Sequence, residues 1–202
     1  MTVPGRTEAA TLLLSLDPPG WFLRHSAAVA EVAAWVARRA DGNGQSVDIA
    51  LVEAAALLHD VDKILPASDA ARAMPHGDGS ADWLARQGHP ELAGAVRAHP
   101  VTRLLDGAGF DRWLATAAVE ARIVAYADKR AGQRLESMAG RFASWERRYP
   151  GGWSAAEGAA VRARADELEA DVCGRARISP ADVRRSPWVA EAIRRARRAD
   201  AA

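Results

Sequence analysis

The chain has 202 residues, 49% of them hydrophobic and 26% charged, with a net charge of +1. That suits a soluble globular protein with a sizeable core, and it excludes a global electrostatic field that would gather nucleic acid. One cysteine, Cys173, excludes an internal disulfide and fits a reducing compartment, while abundant alanine and long periodic stretches predict an all-α fold.

Thr7 to Leu16 reads as a first helix, stopped by Asp17-Pro18-Pro19-Gly20. Its apolar part, Ala9 to Leu16, is too short to span a bilayer and lacks a signal-peptide layout, so it is expected to pack and the protein to be cytoplasmic. Trp21 to Ala40 follows, with Val29, Val32, Ala33 and Val36 forming an apolar stripe, and Asp41-Gly42-Asn43-Gly44 ends it. Val47-Asp48 leads into a helix whose apolar run, Ala54 to Leu58, delivers His59 and Asp60, then Asp62 and Lys63. Pro66 to Gly79 reads as irregular. A short helix is expected from Ser80 or Asp82 to Gln87, stopped by Gly88, and another from Glu91 to Ala98, ending at His99-Pro100. Arg112 to Arg130 reads as one long helix with Asp128 near its end; Ala131 to Arg148 continues it or stands alone. Tyr149-Pro150-Gly151-Gly152 is the clearest boundary, followed by helices over Ala155 to Val172 and Pro187 to Ala199.

The stretch that carries chemistry is Leu57-Leu58-His59-Asp60-Val61-Asp62-Lys63. Successive side chains on a helix point about 100° apart, so His59 and Asp60 can both reach one point at the helix edge. An imidazole and a carboxylate converging there suit a divalent cation of intermediate hardness, which would offset the cost of polar groups at the end of a buried segment. A helix ending in a polar turn is the plain alternative. The chain has only two lysines, Lys63 and Lys129, beside Asp60/Asp62 and Asp128 respectively, in an otherwise all-arginine background. That coincidence points to a single site built from both stretches.

Arg24-His25-Ser26, Ala56-Leu57-Leu58-His59-Asp60 and Ile123-Val124-Ala125-Tyr126-Ala127-Asp128-Lys129 supply, in order, a histidine, a His-Asp pair and a distant aspartate. Together they resemble the HD superfamily of metal-dependent phosphohydrolases over roughly Trp21 to Tyr149. The resemblance implies an all-α HD-domain helical bundle over residues 1–150, with a short helical extension, 151–202, packed on it. It implies His25, His59, Asp60 and Asp128 as metal ligands. A subgroup that includes HDIG-type proteins and bacterial symmetrical diadenosine tetraphosphate hydrolases adds two intervening histidines and a lysine three residues after the paired aspartate. His76, His99 and Lys63 match those additions. On that plan His25, His59 and Asp128 hold one ion, His76 and His99 the other, and Asp60 bridges them. His99-Pro100-Val101-Thr102 departs from the subgroups' tails, which leaves the substrate open.

The implied activity is cleavage of a phosphate ester or anhydride of a nucleotide, dinucleoside polyphosphate or other small phosphorylated metabolite. The nucleophile would be a metal-bound hydroxide on one or two divalent transition-metal ions: Fe, Mn, Co, Ni or Zn. Asp60 and Lys63 are the expected catalytic residues, Lys63 neutralising charge on the phosphoryl oxygens. Arg24, Arg103 and Lys129 are candidates for holding the rest of the substrate, each with a solvated surface role as the alternative. Asp62 either orients a ligand histidine or Lys63, or ends the helix in solvent. His89 in Gly88-His89-Pro90 reads as a capping or surface residue. From Arg175 onward eight arginines face three acids; this reads as an amphipathic helix packed through Trp188, Val189 and Ile193 rather than a nucleic-acid patch. The expected partner is a small phosphorylated substrate, neither membrane nor nucleic acid; a homodimer stays open. Two other readings stay open as well: an HD-type di-iron oxygenase, and a catalytically silent nucleotide-binding HD module.

Overall fold

Asp17, Pro18 and Pro19 separate α1 (Arg6–Leu14) from α2 (Gly20–Gly42) in the computed structural model, which describes residues 3–200. The stripe of Val29, Val32, Ala33 and Val36 on α2 is wholly buried, as its spacing predicts. α3 (Ile49–Leu58) opens at Asp48, whose carboxylate accepts the Leu51 N–H at 2.9 Å, and packs along α2. Both helices bury several alanines. α4 (Asp78–Arg86), α5 (Ala93–Arg97) and α6 (Gly107–Thr116) follow, linked by short 3₁₀ turns. α7 (Val119–Arg130) lies against α2, α3 and α5, and every residue from Ala121 to Arg130 is buried. It is the central helix.

The long helix expected over Arg112 to Arg130 is interrupted. Ala117 and Ala118 adopt extended backbone (ψ 144° and 150°), and the Ala117 carbonyl accepts from Arg122 Nε at 3.1 Å. A side chain from the following helix thus satisfies a carbonyl that a continuous helix would have bonded along its own axis. α8 (Met138–Arg148) is a separate helix, begun by the Ser137 hydroxyl accepting the Gly140 N–H. α9 (Ala155–Ala176) begins in a capping box between Ser154 and Glu157 and packs on α7 and α2. α10 (Val189–Ala199) packs on α1 and α2, burying Trp188, Val189, Ala192 and Ala196 and partly covering Ile193. Arg194 and Arg195 on it pair with Glu191, Arg185 with Glu31. Among the described residues no helix is long and apolar enough to cross a membrane, no strand forms beyond one isolated bridge, and Cys173 is a buried free thiol.

Candidate metal centre

The end of α3, the second turn of α2, the end of α7 and the loops before α4 and after α5 meet at one point. His59 is the last residue of the α3 turn and Asp60 the first outside it, so the two side chains diverge by a helical step yet face the same space. α2 brings His25 and α7 brings Asp128. His76 arrives from a loop that turns at Gly77, where φ is +86° and an added Cβ would lie 2.8 Å from Pro100 Cγ and 2.9 Å from the Arg97 carbonyl. Only glycine suits that position. His99 follows α5.

Each of the four imidazoles is pinned through Nδ1 by a group that can only accept. His25 donates to the Gly132 carbonyl at 2.8 Å, His59 to Ala56 at 2.8 Å and His99 to Val96 at 2.6 Å; His76 donates to the Asp62 carboxylate at 2.9 Å. With the proton fixed on Nδ1, a neutral ring presents the Nε2 lone pair inward. Those four nitrogens converge on Asp60 and Asp128. Asp60 Oδ2 lies 3.2 Å from His25 Nε2 and 3.5 Å from His59 Nε2. Asp60 Oδ1 lies 3.2 Å from His76 Nε2 and 3.1 Å from His99 Nε2. Asp128 Oδ1 lies 3.6 and 3.7 Å from His25 and His59. The two oxygens of one carboxylate therefore serve two different histidine pairs.

The residues fit divalent cations. His59 Nε2 is buried with no hydrogen-bond partner among the described residues, and the Nε2 atoms of His76 and His99 face each other at 3.2 Å. Facing lone pairs repel unless a proton or a cation sits between or beside them, and an orphaned buried nitrogen is costly. Donors about 2.1 Å from a six-coordinate ion stand roughly 3 Å from one another, close to the separations here. Without an ion, a proton takes that place. Burial lowers the affinity of His76 for it, but bonds to Asp60 and Asp62 push its pKa up to about 9, whereas burial drives His99 down to about 4. Burial also opposes ionisation of Asp60 and Asp128, yet the imidazoles around them hold both carboxyls well below the usual range.

Lys63 Nζ donates to Asp60 Oδ2 at 2.7 Å while its side chain stays partly exposed. Burial lowers its pKa, but Asp60, Asp128 and Asp62 together more than restore it, so the net shift is upward. Asp62 is buried: besides His76 it accepts the Gly77 N–H at 2.8 Å, so it orients the His76 ring and is no helix-end carboxylate in solvent. Of the three residues expected to hold substrate, none bonds to a side chain of the cluster. Arg24 is exposed and donates to Gln133 at 2.6 Å. Arg103 donates to Asp78 at 2.8 Å, on a cavity of about 500 Å³ that reaches His76. Lys129 is buried, donates to the carbonyls of His99 (2.7 Å) and Ala125 (3.1 Å), and is lowered to about 8 by burial. Its ammonium braces the backbone of His99. His89 stays outside the cluster; it is buried, with its ring 3.4 Å from Glu91.

A second cavity, of about 360 Å³, opens directly onto His25, Asp60 and Lys63. Its far wall is α8, through Arg141, Trp145 and Arg148, with the exposed Trp21 and Tyr149 at the rim. Arg141 is the residue that reading the chain alone passes over. One arginine among many in an amphipathic helix carries no local mark.

The HD domain family model matches residues 22–132, more than half of the chain. No curated protein and no solved structure matches it.

Proposed function

Because the chain belongs to the HD domain family, we propose that it is a metal-dependent phosphohydrolase acting on a small phosphorylated compound, with a nucleotide or dinucleoside polyphosphate as the leading class. The observation that carries this reading is the set of four Nδ1-pinned imidazoles aiming Nε2 at Asp60 and Asp128. His25, His59 and Asp128 would hold one ion, His76 and His99 the second, and Asp60 both, an arrangement like that of HDIG-type proteins. Divalent ions there would supply a water acidified toward neutral pH and an electrophilic clamp on phosphoryl oxygens. Iron, manganese, cobalt, nickel and zinc all suit the mixed nitrogen and oxygen donors.

The chain's own residues do the rest. Asp60 fixes the spacing of the two halves because its two oxygens are shared between them. Asp62 and the three backbone carbonyls keep every ligand ring in one tautomer and orientation, which raises ligand basicity. Lys63, anchored beside Asp60 yet partly exposed to the cavity, meets the negative charge that grows on the phosphoryl oxygens. The cavity of about 360 Å³ suits a metabolite rather than a polymer. Such a substrate, and the lone buried thiol of Cys173, fit work in the cytoplasm.

A screen for phosphate release from nucleotides, dinucleoside polyphosphates and simple phosphate esters, with Mn²⁺ or Fe²⁺ added, tests the reading. Turnover that depends on metal and is lost on chelation is the expected result. Oxygen uptake by an iron-loaded protein without phosphate release would instead favour the oxygenase reading, and nucleotide binding without turnover the silent one.

A further inference from the structure

Arg141 stands on α8, beyond the matched residues 22–132, and is 5% exposed. Its Nε and Nη1 have no hydrogen-bond partner among the described residues. A buried guanidinium without an acceptor is costly, and five donors in a rigid fork are what a phosphate or carboxylate fits. The planar group stacks on Trp145, with Cζ 4.5 Å from the ring centroid, so one face is covered and the donor-bearing edge is left free. Burial and the neighbouring Arg148 push the guanidinium down, and Asp128, Glu136 and Asp60 partly pull it back through space without forming an ion pair. It shares its cavity with His25, Asp60 and Lys63.

Lys63 touches Asp60 at 2.7 Å whereas Arg141 makes no ion pair with Asp60 or Asp128. The ammonium thus touches the cluster, while the guanidinium lines the same cavity without touching it. Resting on the phosphohydrolase reading, we propose that Arg141 is a substrate-binding residue whose fork grips a second phosphate joined to the one at the cluster. The substrate class it selects is then a di- or polyphosphate rather than a monophosphate ester. The competing role is that of a counter-charge that merely offsets Asp60 and Asp128.

Titration calorimetry of the Mn²⁺-loaded protein with orthophosphate and with methylenediphosphonate, a diphosphate mimic that cannot be hydrolysed, separates the two roles. Metal content and thermal midpoint are measured on the same samples. Wild type is expected to bind the diphosphonate at least about tenfold more tightly than orthophosphate. Arg141→Gln should cut that preference to less than about threefold, with orthophosphate affinity and metal content close to wild type, and Arg141→Lys should restore part of it. Should Arg141→Gln not fold, a preference in Arg141→Lys equal to that of wild type overturns the proposal, and a reduced one supports it. An unchanged preference in a fully metallated Arg141→Gln overturns it too, as does loss of metal with both anions weakened alike, the signature of a counter-charge. If metal-loaded wild type binds neither anion, the phosphohydrolase reading falls and this inference with it.

Discussion

Asp60 is buried among four imidazoles and an ammonium, with one oxygen facing His25, His59 and Lys63 and the other facing His76 and His99. Removing it takes away the only group common to both halves. Asp60→Ala is therefore expected to lose bound metal and phosphate release together; wild-type activity in that variant would be incompatible with the site. His76→Ala should lower the stoichiometry by one ion and leave the His25 side loaded, and unchanged stoichiometry would leave a mononuclear site as the better account. Asp62→Ala, which unties the His76 ring, is expected to weaken one ion by about 10- to 100-fold while the other keeps its affinity, readable by competition with a chromophoric chelator. The members of this cluster were legible because an adjacent His-Asp pair behind an apolar run is a rare local pattern, and because the chain has only five histidines to choose from. The role of Asp62 could not be decided that way, since its partners, His76 and Gly77, lie 14 and 15 residues away. Arg24 and Lys129 show the converse. Proximity in sequence to a ligand does not decide which way a long side chain turns.

Helices bring His25, His59 and Asp128 into the cluster, and their own stability comes from contacts between elements. Glu53 on α3 is buried and accepts from Arg6 of α1 (2.6 and 2.7 Å) and from Arg38 of α2. Glu53→Ala removes the charge-assisted bonds of two partly exposed guanidinium groups and is expected to destabilise the fold by about 1 kcal/mol, since both arginines can turn to water; a midpoint equal to wild type in urea would contradict that. The loop before α4 is held as tightly. Gly77→Ala would need φ near +86° and would press on Pro100 and the Arg97 carbonyl, so the expected outcome is a displaced His76 and loss of one ion from a protein that still folds. Element ends marked by proline, glycine and capping residues were readable: the stop after α1, the starts of α3 and α9, the boundary near Tyr149. The break between α6 and α7 was not. It falls on two alanines, the best helix formers, and is set by Arg122 reaching back to the Ala117 carbonyl, a tertiary preference that overrides local propensity.

Across the whole molecule, the residues after the Tyr149 boundary are joined to α7, the helix that carries Asp128. Glu169 on α9 accepts from Arg130 at 2.7 Å and from the Tyr126 hydroxyl at 3.1 Å, and Asp171 pairs with Arg122 at 3.0 Å. Arg130 lies two residues from Asp128. We expect residues 151–202 to unfold together with 1–150 in a single transition, and Glu169→Ala to lower its midpoint by several degrees, about 2–4 °C per kcal/mol at this size; two resolved transitions would show the extension to be independent. The all-α architecture was legible from composition and periodicity, whereas the pairing of α9 with α7 was not, since nothing local distinguishes Glu169 or Asp171 from the other acids of that helix. What the account most needs is a count of ions in the purified chain. Elemental analysis should find two transition-metal ions per wild-type chain and none in folded Asp60→Ala; a wild-type chain that takes up no metal when offered Mn²⁺ or Fe²⁺, or an Asp60→Ala chain that keeps its full complement, would contradict it.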